Sequence, residues 1–175
     1  MPDAQTFLAA PDPLIAFSEW FLSSPLNLLK PPMYGVHFFG DLMSVVLYRD
    51  DHFQAELFIV RPNPSEPCGE HGHPDIDSME VAVSGELYFT IENRPVARRK
   101  HVRETLSDGT SARFGRFARV LPGQPHTAFV GRQGGCFISL QRWLHGVKPS
   151  SIGLNWSGPA HAAEFKKAYL EKQTC

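Results

Sequence analysis

The sequence predicts an all-β domain, a sandwich or a barrel, with one helix at each flank. Two observations carry this expectation. From Tyr34 to about Trp143, short runs rich in Val, Phe, Tyr and Ile alternate with turn clusters, and no helical spacing intervenes. Outside that stretch the pattern changes to helical periodicity on both sides.

The strand-like runs are Leu42–Arg49, Ala55–Arg61, Glu80–Ser84, Glu86–Glu92, Arg113–Val120, His126–Val130 and Cys136–Trp143. Between them lie Asp50-Asp51, Asn63-Pro64-Ser65, Ser84-Gly85, Ser107-Asp108-Gly109, Pro122-Gly123 and Gly134-Gly135, the residue types that turns require. Before the strands, Leu14, Phe17, Ser18 and Phe21 recur at helical spacing. Asp12 is placed to cap that helix and Pro13 to open it, with the end near Ser23. Its aromatic stripe is expected to pack on the outside of the sheet. At the other end, about 159–173 is rich in Ala, Glu and Lys and predicts a second helix with Phe165 and Tyr169 on one side. Repeats and low-complexity tracts are absent from the sequence, so the 175 residues read as a single domain with a barrel core at about 34–143.

Composition narrows the function classes. Hydrophobic residues make up 42% and charged residues 20%, the balance of a globular chain. The formal net charge of −1 provides no field for nucleic acid or an anionic membrane, and the basic run Arg98-Arg99-Lys100 lies close to Glu104 and Asp108. No apolar run approaches the length of a membrane span, and no secretory leader is visible. Three cysteines without C-x-x-C spacing (Cys68, Cys136 and Cys175) argue against a disulfide framework and a thiolate zinc site, and fit a cytoplasmic location. A hydrolase elbow of G-x-S-x-G type is also missing.

The chemistry-bearing residues lie in two segments. In His71-Gly72-His73 the imidazoles are two residues apart, so on an extended chain both project to one side and can reach one ion. Glu80 follows inside Met79-Glu80-Val81-Ala82-Val83, where a carboxylate among apolar neighbours needs a pairing partner or a cation. Downstream, Leu121-Pro122-Gly123-Gln124-Pro125-His126 brings a third imidazole directly after a tight turn. Three imidazoles and one carboxylate suit iron, manganese, nickel or zinc rather than calcium.

These segments resemble the paired motifs of the cupins. The first motif reads Gly69-Glu70-His71-Gly72-His73, then Glu80 and Gly85; the second is Pro122-Gly123-Gln124-Pro125-His126. The resemblance spans roughly residues 55–143. It implies a jelly-roll β-barrel holding one divalent metal ion through His71, His73, Glu80 and His126. The family's usual spacing leads to Ser78, or Asp77 in the shorter form, rather than to Glu80. A two-residue displacement along a strand restores the same face, so Glu80 is the favoured carboxylate, with Asp77 or a three-histidine site as the alternatives.

The resemblance further implies an enzyme acting on a small organic molecule, first of all a mononuclear non-haem iron(II) dioxygenase that uses no organic cofactor. The alternatives are a zinc, manganese or nickel isomerase, epimerase or lyase, and a non-catalytic cupin that binds a small ligand. Phe89 and Gln141 alternate with their neighbours so as to line the substrate pocket, and Arg61, Arg119 or Arg142 could bind a carboxylate at its mouth. Catalytic residues beyond the metal centre do not stand out. Cupins are often dimeric, and the largely apolar 28–39 segment is where a homodimer would exchange or pair strands.

Overall fold

The computed structural model describes residues 3–23, 35–39, 41–62, 71–92, 94–95, 102–105, 111–114 and 117–150. Two helices come first, α1 (Ala4–Leu8) and α2 (Pro13–Ser23). Nine strands follow among the described residues: β1 (Gly35–Phe39), β2 (Leu42–Arg49), β3 (Phe53–Val60), β4 (Ile76–Ile91), β5 (Arg94–Pro95), β6 (Val102–Thr105), β7 (Ser111–Phe114), β8 (Phe117–Val120) and β9 (His126–Trp143). The expected C-terminal helix at about 159–173 lies outside the described residues. Among the described residues, no helix is long and apolar enough to cross a membrane.

The strands pair antiparallel in the order β1-β2-β3-β9-β4-β5, with β8 also on β4, and β6 and β7 form a separate hairpin. Asp50 makes the β2–β3 turn, its Oδ1 accepting the backbone N–H of His52 and of Phe53 at 2.7 Å each. Helix α2 begins at Pro13, as expected, and Asp12 Oδ1 accepts the Ile15 N–H at 3.2 Å.

Two expected strand pairs are each one long strand. Glu80–Ser84 and Glu86–Glu92 join in β4; His126–Val130 and Cys136–Trp143 join in β9. The glycines that read as turns are bends inside these strands. Gly85 and Gly134 have φ of 83° and 73°, and the β4–β9 register slips between Ala82 and Ser84 and again between Gly85 and Leu87. A Cβ on Gly85 would lie 2.3 Å from the Gly134 carbonyl oxygen, so the two backbones pass where no side chain fits. Conversely, the expected Arg113–Val120 strand is divided into β7 and β8.

Bent in this way, the sheet closes one face around an interior and leaves the other to the helices. Leu42, Phe58, Val60, Ala82, Leu87, Phe89, Ala118, Ala128 and Phe137 form the interior apolar cluster. Phe89 thus lies inside the sheet, its ring edge-on to Phe137 at 5.6 Å. The opposite face carries Phe53, Ala55, Val81, Ile138 and Leu140, covered by Phe7, Phe17, Phe21 and Leu22 of the helices. Phe17 stacks on Phe53 at 4.9 Å. Arg119 ties this helical layer to the sheet by pairing with Asp12 and, through Nη2 at 2.7 Å, with Asp77. Arg61 pairs with Asp41 at 2.5 Å. Each of these arginines therefore holds a carboxylate of the protein itself.

Candidate metal centre

Backbone pairing brings the two histidine segments together. His71 and His126 face each other as an isolated antiparallel bridge, with each N–H donating to the other's carbonyl (3.1 and 2.8 Å). Residues exchanging both hydrogen bonds are directly opposite, so their side chains leave on the same face. Their ring centroids are 4.3 Å apart.

His73 joins from two residues along, on the same side as His71, with ring centroids 4.9 Å from His71 and 5.5 Å from His126. Its carbonyl accepts the Gly123 N–H at 2.8 Å, which fixes the H-x-H segment to the turn before His126. That turn runs Leu121-Pro122-Gly123-Gln124 and closes with the Gln124 N–H on the Leu121 carbonyl at 3.0 Å. Proline at its second position and glycine with φ of 75° at its third are what a type II turn requires.

One ligand atom from each of His71, His73 and His126 lies within 4.8 Å of the others. Around an ion at about 2.0–2.1 Å, three imidazole nitrogens stand roughly 3–3.4 Å apart, which modest side-chain rotation reaches. The protonation chemistry fits as well. Burial, and then the neighbouring His71 and His126, push His73 down to about 3, so it is a neutral donor at physiological pH. The Nδ1 of His126 lies 3.0 Å from the Gln124 carbonyl; donating there, it would leave Nε2 free to ligate a metal ion.

The structure does not bring Glu80 into this group. In the β4–β8 register, Ser78 lies opposite Val120 and Glu80 opposite Ala118. Ser78 is therefore adjacent to the strand end that leads into the His126 turn. Glu80 is two residues further away, about 6–7 Å along the strand. The shift that restores its face also carries it deeper into the barrel. Asp77 projects to the opposite face, where Arg119 holds both its oxygens at 3.1 and 2.7 Å. The three-histidine arrangement is the grouping that results.

Below the histidines the interior is polar. Successive cross-strand rows read Gln54, Gln141, Ser78 and then Glu56, Ser139, Glu80, before the apolar row Phe58, Phe137, Ala82. Gln141 is fully buried, accepting from Trp143 Nε1 at 3.0 Å and donating to Ser139 Oγ at 3.1 Å. Glu56 and Glu80 are 0% and 5% exposed. Ser44 donates to Glu56 at 2.5 Å, and Gln54 donates to it at 3.0 Å. Ser78 and Ser139 both donate to Glu80 Oε1 at 2.8 Å. Sequence reading missed Glu56 and Gln54. Their signal was the two-residue alternation in Phe53-Gln54-Ala55-Glu56-Leu57-Phe58, a pattern that ordinarily sends the polar members to solvent.

No protein-family model matches the chain, and no curated protein matches it. Similar solved structures exist. An RmlC-like cupin from Shewanella frigidimarina is 16% identical with a TM-score of 0.47, over 63% of this chain and 85% of that one. A conserved protein with a double-stranded β-helix domain from Klebsiella pneumoniae is 18% identical with a TM-score of 0.44, over 62% and 82%. A predicted oxalate decarboxylase from Thermotoga maritima is 12% identical with a TM-score of 0.47, over 65% and 95%. Such likenesses concern the fold and carry no activity across. With its bent antiparallel sheet, its paired histidine motifs and their meeting at one point, the chain has the fold that the cupin resemblance implies.

Proposed function

We propose that this cupin is a mononuclear metal-dependent enzyme acting on a small organic molecule, with iron(II) and dioxygen as the first reading. The observation that supports it is the convergence of three imidazole donors from two distant segments, within 4.8 Å of one another. Three protein ligands leave coordination positions for a substrate or dioxygen beside the ion. Bound there, an iron(II) ion would supply dioxygen activation; a zinc, manganese or nickel ion would supply Lewis acidity for isomerisation or lyase chemistry. The chain's own part is to hold the imidazoles in place, orient His126 through the Gln124 carbonyl, and line the space below with hydrogen-bonding side chains.

The zinc-type reading draws support from a specific feature: three imidazoles without a carboxylate are a known donor set of catalytic zinc. Reconstitution separates the two readings. Metal-free protein is loaded in turn with iron(II), zinc, manganese and nickel under anaerobic conditions, and bound metal is counted. Oxygen uptake is then followed across a panel of small organic acids, thiols and enediols. Substrate-dependent uptake with iron alone is the expected result. Stoichiometric zinc with turnover of a panel compound and no uptake would overturn the iron reading. No metal bound in any preparation would overturn both.

A further inference from the structure

The centre has no general base among its histidines, yet two buried carboxylates stand in the second row below it. Glu56 and Glu80 flank Ser139 on either side, each directly opposite it in the ladder. With strands about 4.8 Å apart, the two backbones are on the order of 10 Å apart, and their side chains share one interior. Both are buried, and two carboxylates in such a space do not both ionise without a large desolvation cost.

Their surroundings are unequal. Glu56 has Ser44 and Gln54 as donors and feels the positive charge of Arg49, whose Nε bonds Gln54 Oε1 at 2.6 Å. Among the described residues, Glu80 has as donors the neutral hydroxyls of Ser78 and Ser139, backed by the Gln141 amide. Across β8 it faces Ala118, and the nearby charges of Asp77 and Arg119 pair on the other side of the sheet. Arg49 therefore steadies a charge on Glu56, and that charge acts on Glu80.

We infer that Glu56 and Glu80 form a proton-holding pair serving the three-histidine centre, with Glu56 the carboxylate and Glu80 the acid, and that the proton leaves when a divalent cation occupies the histidines. This rests on the metal reading above. In the step, the Glu80 O–H bond breaks, its electron pair stays on the carboxylate, and the proton passes to solvent. The pair goes from one negative charge to two as the 2+ ion enters, so the interior gains one unit of positive charge rather than two. Burial, opposed by the two serine hydroxyls and reinforced by Glu56, pushes Glu80 up to about 7, consistent with that assignment.

Infrared spectroscopy of the metal-free protein tests the pair itself. Wild type is expected to show the carbonyl stretch of a buried protonated carboxyl that disappears as pH rises through about 7. In Glu80→Gln, which keeps the shape of the neutral acid, that band should be absent. In Glu56→Gln it should persist, with its titration shifted to lower pH. A wild-type spectrum without the band, or an unchanged band in Glu80→Gln, would overturn the pair. Calorimetric titration with zinc at about pH 6.5, in buffers of different ionisation enthalpy, counts protons released on binding. Wild type should release close to one proton more than Glu80→Gln. Equal release would overturn the coupling even with the band present. Zinc that binds neither protein would overturn the coupling and the metal reading together, while the infrared result still decides the pair. Circular dichroism of each variant confirms that it is folded, and Glu80→Asp gives a second carboxyl variant.

Discussion

Replacing Glu80 by Gln in the metal-free protein should change how stability depends on pH. In the folded chain this carboxyl is raised from 4.5 to about 7 by burial, against two serine hydroxyls that favour its charge and with Glu56 opposing it. A group raised in this way binds its proton more tightly when folded. Its stabilising contribution is complete below about 4.5, the unfolded value, and is lost as pH rises through about 7. At about 1.4 kcal/mol for each pH unit, the difference corresponds to about 3 kcal/mol. The assay is urea denaturation of wild type and Glu80→Gln from about pH 5 to pH 8, with EDTA present throughout. The wild type should lose about 3 kcal/mol relative to the variant over that range, most of it between about pH 5 and 7. A wild-type-minus-variant difference that stays flat, or rises with pH, would refute the assignment of a buried neutral acid at this position.

Glu80→Gln should also retain stoichiometric zinc or iron(II), whereas His73→Ala and His126→Ala should each lose at least tenfold in affinity; loss of metal in Glu80→Gln would return that residue to the ligand set. Phe17→Ala, which removes a fully buried ring stacked on Phe53, should cost about 3–5 kcal/mol in chemical denaturation. Arg119→Ala leaves the buried Asp77 carboxylate without its bidentate partner and should cost about 2 kcal/mol, with Asp12→Asn costing less. Two glycines should respond differently: Gly85→Ala drives a Cβ into backbone and should abolish soluble folded protein. Gly123→Ala meets nothing within 4 Å and should cost about 1–2 kcal/mol through its left-handed φ alone, as read by thermal melting.

The readable parts of the sequence were those governed by local chemistry. Helix α2 was legible because Asp12, Pro13 and the Leu14–Phe17–Phe21 stripe all act within a few residues of one another. His71, His73 and His126 were legible because an H-x-H on extended chain and a Pro-Gly turn before a histidine each fix a side-chain direction locally. Gly85 and Gly134 were misjudged as turns, since whether a glycine ends a strand or bends it depends on the strand lying across it. The carboxylate was harder still. Alternation gave Glu80 the right face, but depth along the barrel is set by register against β8 and β9, which no single segment records. Glu56 and Gln54 were hidden for a related reason. The helices cover the apolar side of β3, and so the polar side turns inward, reversing the usual rule for an alternating strand.

The reciprocal backbone bonds between His71 and His126 have a practical consequence for identifying the ion. Because main-chain pairing sets these two donors opposite each other, loading of a metal ion would be capture by a folded protein rather than part of its folding. Three imidazoles carry no fixed negative charge with which to discriminate between divalent ions, so occupancy of such a centre would follow the intrinsic order of divalent affinities and the supply in the surrounding medium. Metal carried through a purification would then report the growth medium as much as the protein. Competition between ions at controlled free concentration, followed by turnover with each, is the measurement that assigns the native one.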